Sequence, residues 1–310
     1  MNLRISFLVF VLASFACKKV TFDNDDSNQM NYLIDANELA AITNQKNIKI
    51  IDFRKKEFYD KEHIADAIHI WRTDIEDTSY PYNGMMPSTK QVESLFGSLG
   101  ISNNDTLIVY DNNGLCEAAR LWWILQNYNF KNIKMLQGGL ESWKAINGKV
   151  THEIPEKVKT VFTFSEKPNM KYAISKEEVF NALSKNVVIV DTRSFEEFSG
   201  KQQKKGASKA GRIPNSIQID WAEAIHFNGN HQLKSIETLA EFYAKKLNVT
   251  KNNSIILYCH SGVRSAHTTF VLTQLLGYKN VKNYDGSWTE WSYFNDLPFT
   301  NESLTTIIKN

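Results

Sequence analysis

The residues best suited to chemistry form a short loop, Cys259-His-Ser-Gly-Val-Arg264, which follows an apolar run at 255–258. A helix is predicted to open at Ser265, so the cysteine lies at the carboxyl end of a predicted strand, where open α/β sheets place their ligand crevices. Loop amides and a helix N-terminus carry partial positive charge, to which Arg264 and His260 are expected to add. These surroundings favour the thiolate over the thiol and predict a nucleophilic cysteine.

The composition of the loop supports a binding role for its backbone. Gly262 is predicted to let the chain turn tightly around the sulfur. The backbone amides of the loop are predicted to bind an anion, and they belong to His260, Ser261, Gly262, Val263 and Arg264. The alternative is a buried structural cysteine, the usual fate of a single cysteine on a strand. The polar residues after Cys259 disfavour that alternative, because a core strand stays apolar at this point.

This loop belongs to the second of two sequence repeats. An apolar run ending in Asp-x-Arg occurs at 48–54 and again at 187–193. Asp111 and Trp143 are 32 residues apart, as are Cys259 and Trp291, so Asp111 holds the position of the cysteine in the first repeat. Such ordered parallels indicate a duplicated domain.

Each repeat alternates short apolar strands with stretches of helical periodicity. This pattern predicts an α/β fold of two tandem domains, each a mostly parallel sheet with helices on both faces. The predicted boundaries are 32–150 for the first domain, 151–171 for an extended linker and 172–300 for the second domain. A lysine-rich insertion at 201–209 is predicted to be a surface loop with solvated lysines at 201, 204 and 205.

The composition excludes several classes of protein. The 310 residues include 36 basic and 34 acidic side chains, a net charge of +2, which gives no electrostatic footprint for nucleic acid. Three cysteines cannot form a disulfide framework, and the absence of a CxxC pair argues against a structural zinc site. No metal or other cofactor is implied.

The first residues are typical of a targeting signal. Residues 1–17 contain an apolar core too short to span a bilayer, followed by Ala16 and Cys17, which resembles a bacterial lipobox. The alternatives are cleavage nearby or an uncleaved anchor. Residues 18–31 are polar, as expected of a flexible tether. We therefore predict lipidation at Cys17, membrane contact only through that anchor, and a location in the bacterial cell envelope, at the periplasm or outer membrane.

Three groups of residues together resemble the rhodanese superfamily: Tyr-Cys-His-Ser-Gly-Val-Arg, the two Asp-x-Arg strands, and Asp285-Gly-Ser-Trp-x-Glu-Trp291. The tandem arrangement is similar to that of thiosulfate and 3-mercaptopyruvate sulfurtransferases. Segments 78–87 and 119–123 also resemble the first-domain signatures of these enzymes. The resemblance covers about residues 32–300 and implies that only the second domain is catalytic. Cys116 is then expected to be a residue of the first helical turn and not a nucleophile.

The resemblance also implies a mechanism. The Cys259 thiolate attacks the outer sulfur of a small anionic donor, and the resulting persulfide passes that sulfur to a thiophilic acceptor such as cyanide, a small thiol or a protein thiol. Arg193 matches the family arginine that binds the donor, although a strand-end ion pair is the alternative. His63 lies where the family's first domain has a His-Ile-Pro-Gly motif, and is expected either in the cleft or at the surface.

The donor and the reaction class are left open by the loop. Ser261 matches the mercaptopyruvate enzymes, whereas Arg264 resembles single-domain rhodaneses and His260 matches neither donor class. Phosphatases and arsenate reductases on related folds use Cys-x5-Arg, which fits a tetrahedral oxyanion, and the shorter Cys-x4-Arg here favours a single sulfur atom. The remaining alternative is a non-catalytic binding or sulfur-relay protein.

Overall fold

The computed structural model describes residues 31–302 of the chain. The predicted export signal, the lipidation of Cys17 and nearly all of the predicted tether lie outside these residues, so those features remain predictions. Within the described residues, no helix is long and apolar enough to cross a bilayer.

The first repeat folds into a parallel sheet, because its short apolar runs alternate with helices that cross over between neighbouring strands. Its strands are β1 (Leu33–Ile34), β2 (Ile48–Asp52), β3 (His63–Ile64), β4 (Ile68–His69), β5 (Thr106–Tyr110), β6 (Ile133–Leu136) and β7 (Val150–Thr151). Its helices are α1 (Ala36–Ile42), α2 (Lys56–Lys61), α3 (Thr89–Ser98), α4 (Cys116–Asn127) and α5 (Gly139–Ala145), with a 3-10 turn at Arg72–Ile75. The order in the sheet is β4-β2-β5-β6-β1, and β3 pairs with β7 in an antiparallel ribbon.

The second repeat builds the same architecture. Its strands are β8 (Ala173–Ile174), β9 (Val188–Asp191), β10 (Ile217–Gln218), β11 (Ser254–Tyr258) and β12 (Asn280–Tyr284). Its helices are α6 (Lys176–Ala182), α7 (Phe195–Ser199), α8 (Ile236–Leu247), α9 (Val263–Phe270) and α10 (Ser287–Tyr293), with a 3-10 turn at Trp221–Ala224 and a π-helical turn at Val271–Leu275 that extends α9. The order β10-β9-β11-β12-β8 repeats that of the first sheet strand for strand, and every pairing in it is parallel.

Both faces of each sheet are covered by helices, which confirms the predicted fold class. On the outer faces, α1 and α5 cover the first sheet, while α6 and α10 cover the second. Helix starts follow local chemistry: Asp35, Ser88 and Ser175 each form a capping box with the residue three positions later. Between Thr151 and Ala173 the chain has neither helix nor strand, and Phe162 anchors it by packing against Phe96.

The inner faces of the two sheets share one hydrophobic core. Helices α4 and α9 pack against each other between the sheets, and Trp122 on α4 meets Phe270 on α9 edge to face, with ring centroids 5.1 Å apart. Apolar residues recur at helical spacing over 118–128, which is typical of an amphipathic helix, but every residue of α4 is buried, because the second domain covers the face that would otherwise meet water. The two domains therefore share their inner core, and each has a smaller cluster of its own on the outer face of its sheet.

Candidate active site

The cysteine loop is held at both of its ends by one hydroxyl. Strand β11 ends directly before Cys259, and α9 begins at Val263, two residues earlier than the sequence predicted. Ser287 Oγ accepts the N–H of Cys259 at 3.1 Å and that of Gly262 at 3.0 Å. Gly262 has φ +72°, and a Cβ atom there would lie 2.6 Å from the carbonyl oxygen of Asp285, so this turn requires glycine.

Cys259 lies inside this loop, and only 1% of the surface of the residue is exposed. Burial by itself would raise the pKa of the Cys259 thiol. The charge of Arg264, the hydroxyl and amide of Ser265 and the amide of Ser261 together outweigh burial and lower that pKa below its ordinary value. The site therefore favours the thiolate, the form that acts as a nucleophile.

The predicted amide cradle is narrower than the whole loop. The amides of Ser261 and Ser265 lower the pKa of the Cys259 thiol, whereas the amide of Gly262 is taken by Ser287. The side chain of Val263 is buried beside Cys116 and Ile225, so any contribution of this residue to binding is limited to its backbone.

Arg264 is fixed beside the sulfur by a carboxylate on α7. Its guanidinium donates to both oxygens of Glu197, at 2.6 and 2.9 Å, in a bidentate pair. Burial would raise the pKa of Glu197, but Arg264 lowers it below its usual range, so the carboxylate stays ionised. Arg264 thus acts as a stationary positive charge and is not free to reach out to a substrate.

His260 does not supply positive charge, contrary to the expectation from the sequence. Burial and the nearby cation Lys204 lower its pKa to about 4, so the imidazole is neutral at pH 7. Its Nε2 lies 3.1 Å from the carbonyl oxygen of Lys205 and donates to it, which fixes the ring against the insertion loop. His260 therefore links this loop to the cysteine loop.

The structure also corrects the predicted role of Arg193. Its guanidinium donates to both oxygens of Asp191, at distances between 2.5 and 3.0 Å, and to the carbonyl of Gly211 at 2.8 Å. The side chain is 2% exposed. In the first repeat, which lacks the cysteine, Arg54 makes the equivalent bonds to Asp52 and to a backbone carbonyl. Because the pair occurs in both repeats, it is a strand-end ion pair that maintains the fold, and Arg193 is not placed to anchor a donor.

His63 lies neither in the cleft nor at the surface. It belongs to β3 and is fully buried, stacked on Tyr59 with ring centroids 3.8 Å apart. Its ring nitrogens lie 2.8 Å from the carbonyl oxygen of Tyr59 and 3.0 Å from that of Glu153. This histidine joins β3 to the start of the linker and has no contact with the cysteine loop.

The first domain forms one wall of the cleft. Gly84 lies so close to Ser261 that a Cβ atom on the glycine would be 2.5 Å from the serine Cβ. Arg120 on α4 donates to Asp285 at 2.6 Å and to the carbonyl of Gly84 at 2.8 Å, and Tyr82 donates to Glu290 at 2.8 Å. These bonds join the loop before α3 to the loop that carries Asp285, and they restrict access to Ser261.

In the first domain, a carboxylate side chain occupies the position equivalent to Cys259. The carboxylate of Asp111 is buried and accepts four backbone N–H groups at 2.8 to 3.0 Å. The donors are the amides of Asn113, Leu115, Glu117 and Ala118. Burial raises the pKa of Asp111 to about 6 while the amides oppose that shift, so the group is mostly anionic at pH 7. The loop after this strand can therefore surround an anion with main-chain donors.

Replacing Asp111 with Asn is expected to destabilise the protein by about 1–2 kcal/mol, because an amide NH₂ would leave two buried N–H donors without an acceptor, while removal of the buried charge offsets part of that loss. Equilibrium denaturation at pH 7.5 measures this loss. The control is Asn112→Ala at the neighbouring exposed position. A free energy of unfolding equal to that of the wild type would show that the four N–H bonds do not support the fold.

Cys116 is the first residue of α4 and is fully buried. Burial and the neighbouring Glu117 raise the pKa of its thiol well above the ordinary value. It is therefore protonated, as expected of a first-turn residue without a nucleophilic role. Within residues 31–302, no group of three or more His, Cys, Asp or Glu side chains is placed to hold a metal ion.

Comparison with known proteins decides the family. A profile described as a rhodanese-like domain matches residues 35–146 and again residues 175–293, which are the two repeats. The chain belongs to the rhodanese family. The predicted family, with its two rhodanese domains, is thereby confirmed.

Relatives of this rhodanese extend over both domains. A protein of Corynebacterium glutamicum named thiosulfate sulfurtransferase is 29% identical over 276 residues, which cover 86% of this chain and 89% of the relative. A Mycobacterium leprae protein provisionally given the same name is 36% identical over 247 residues, covering 77% and 86% of the two chains. These matches confirm the enzyme class predicted from the sequence, a sulfurtransferase.

Solved structures share the fold of this rhodanese at lower identity. The anaerobic ergothioneine biosynthesis enzyme from Chlorobium limicola, crystallised with trimethyl histidine, superposes with a TM-score of 0.77 at 20% identity. The superposition covers 88% of this chain and 71% of that enzyme. At this identity the likeness supports the two-domain fold alone.

Several residues of the rhodanese site were missed by sequence reasoning. Lys204 is exposed, as the sequence predicted, but the charges of Arg264 and Cys259 act on its pKa, so it lies within Coulomb range of the cysteine loop. Arg72 of the first domain interacts with Cys259 as well. The insertion itself could have indicated that Lys204 lies near the site, because its additional residues directly precede the segment that leads back to the sheet beside the cysteine loop. Arg72 had no signal, since only the packing of the two domains brings it to the cleft.

Proposed function

We propose that this rhodanese transfers sulfane sulfur from thiosulfate to a thiophilic acceptor through a persulfide on Cys259. The thiolate attacks the outer sulfur of thiosulfate, the S–S bond of the donor breaks with both electrons on sulfite, and a Cys259 persulfide anion remains. Cyanide then attacks the outer sulfur of the persulfide, which forms thiocyanate and returns the thiolate. Both steps conserve charge and need no oxidant, reductant or cofactor.

The main observation that supports this proposal is a buried cysteine whose pKa is lowered by its surroundings. These surroundings are the amides of the loop, the hydroxyl of Ser265 and the charge of Arg264. The same donors that stabilise the thiolate stabilise the terminal sulfur of a persulfide, because both are anions at the same place. The equivalent loop around Asp111 supports this interpretation, since its amides surround a carboxylate.

A second donor, 3-mercaptopyruvate, has one observation in its favour. Ser261 matches the loop of the mercaptopyruvate enzymes, and it is partly accessible at the wall formed by Gly84. A low-molecular-weight or protein thiol is the alternative acceptor to cyanide. Rates with both donors and both acceptor classes, measured on one purified sample, will rank them.

The proposal is tested by mass spectrometry of the intact protein and of its proteolytic peptides, after treatment with excess thiosulfate and removal of the donor. We expect an adduct of about 32 Da, one sulfur atom, on a peptide that contains Cys259, and its loss on addition of cyanide with formation of thiocyanate. Cys116→Ser is the matched control and is expected to carry the adduct like the wild type. A protein that remains unmodified, or a modification on Cys116 alone, would contradict the proposal.

A further inference from the structure

We propose that the amino-terminal edge of the second sheet is a docking surface for an anionic membrane, which holds the protein against the bilayer with the cleft facing away from the lipid. The inference goes beyond the proposed function, since sulfur transfer does not require it. The sequence predicted membrane contact only through an anchor at Cys17, so this surface is a second and electrostatic contact.

A basic pocket lies at this edge of the sheet, and we call it the lysine pocket. It has a volume of about 550 Å³ and is lined by the starts of β11 and β12, by the end of α6 and by the segment that leads into β8. The charged side chains that line it within residues 31–302 are Glu178 and four lysines, Lys171, Lys185, Lys279 and Lys282. The whole chain has a net charge of only +2, so positive charge is concentrated in this pocket.

Most of the positive charge in the lysine pocket is accessible to solvent. The ammonium of Lys282 is half-buried and donates to the carbonyl oxygen of Lys171 at 2.7 Å, which fixes the segment before β8. The carboxylate of Glu178 accepts the N–H of Ser175 at 2.9 Å and thereby caps the start of α6. The other lysines of the pocket are exposed: Lys171, Lys185 and Lys279.

The chain enters the fold beside the lysine pocket. Tyr32 packs its ring edge-on against Trp122, with ring centroids 5.8 Å apart. Tyr172, which lines the pocket, packs against the same indole at 5.5 Å. The predicted tether, residues 18–31, therefore joins the fold next to the lysines, and a polar tether of that length spans about 20 Å on average. A lipid at Cys17 would keep this edge of the sheet within reach of the headgroups.

The cysteine loop lies at the opposite edge of the same sheet. Strand β11 begins with Ser254 at the lysine pocket and ends at Tyr258, directly before Cys259, so the strand separates the two places by about 16 Å. Lysines near an anionic surface are attracted to it, and this attraction decays within a Debye length. A cluster of lysines on one edge therefore orients the protein and leaves the cleft open to donors in the aqueous phase.

The test is co-sedimentation with vesicles of residues 18–310, which contain both domains and lack the predicted lipidation site. We expect binding to vesicles of phosphatidylglycerol and phosphatidylcholine, and little binding to phosphatidylcholine alone. The triple variant Lys171→Gln, Lys185→Gln and Lys279→Gln should bind about fivefold more weakly for each lysine removed, about 100-fold in all. Salt at about 0.5 M should abolish the binding of the wild type, because it shortens the Debye length to a few ångströms.

The matched control is a second triple variant that removes as many charges from exposed positions in and next to α2: Lys55→Gln, Lys56→Gln and Lys61→Gln. It should bind vesicles like the wild type, and thermal unfolding checks that both variants fold. The inference is overturned if the wild type binds the two kinds of vesicle equally, or if both triple variants lose binding to the same extent. It is also overturned if soluble poly-glutamate binds as tightly as the anionic vesicles, since the lysines would then recognise an acidic protein. None of these outcomes depends on sulfur transfer.

Discussion

Cys259→Ser is expected to lower the rate of thiocyanate formation from thiosulfate and cyanide by at least ~10³-fold, because a hydroxyl at this position is neither ionised at neutral pH nor nucleophilic toward sulfur. The change is nearly isosteric, and the loop is held by Ser287 and Gly262 rather than by the thiol, so the fold should be retained. Initial rates together with thermal unfolding measure the two effects separately.

Cys116→Ser provides the internal comparison for this prediction. Cys116 is also fully buried, but its pKa is raised, so loss of its thiol should leave the rate within about twofold of the wild type. Substantial activity in a folded Cys259→Ser variant would mean that another group accepts the sulfur, and the assignment of the nucleophile would be wrong.

Arg264→Met is expected to have the second largest effect, and it acts on both reactivity and stability. Arg264 lowers the pKa of Cys259, so its removal raises that pKa and leaves less thiolate at any pH near neutrality. The pH profile of alkylation by iodoacetamide should therefore move to higher pH, and the rate at pH 7 should fall about tenfold or more. Stopped alkylation reactions between pH 5 and 10 measure this shift.

The stability effect of Arg264→Met comes from its partner. The carboxylate of Glu197 is 7% exposed at the side-chain level and would be left without its counter-ion, at a cost of about 3–5 kcal/mol. The double variant Arg264→Met with Glu197→Met removes both charges and should recover much of this stability, whereas the pKa of Cys259 should remain raised. An alkylation profile that does not move in either variant would show that the amides and Ser265 alone ionise the sulfur.

Much of this protein can be predicted from short-range patterns. The repeated Asp-x-Arg strands and the equal spacing from Asp111 and Cys259 to their tryptophans predicted two α/β domains with one nucleophile, and the fold and family are confirmed. These features are visible in the sequence because they depend on local periodicity, on a turn that needs Gly262, and on a polar loop directly after an apolar strand. The chemical type of the reactive residue likewise needs no tertiary information.

The partners of charged side chains, by contrast, were decided by tertiary structure. In the sequence, Arg193, Arg264 and His63 are possible contacts for a ligand. In the structure, Arg264 and His63 are bound by groups far away in the chain, and Arg193 is bound by a nearby aspartate that the fold orients toward it. His260 is neutral because burial lowers its pKa to about 4, and burial cannot be read from composition. The helix α4 is apolar on one face in sequence and buried on all faces in the structure, since a second sheet covers it.

The sequence by itself thus determined which atom is proposed to react, because a cysteine in a glycine-bearing loop at a strand end is a local arrangement. Only the tertiary structure decided which charges surround that atom, because Coulomb interactions depend on distances between segments and on the exclusion of water between them. Arg72 comes from the first domain, and it comes near Cys259 only when the two domains pack around their shared core.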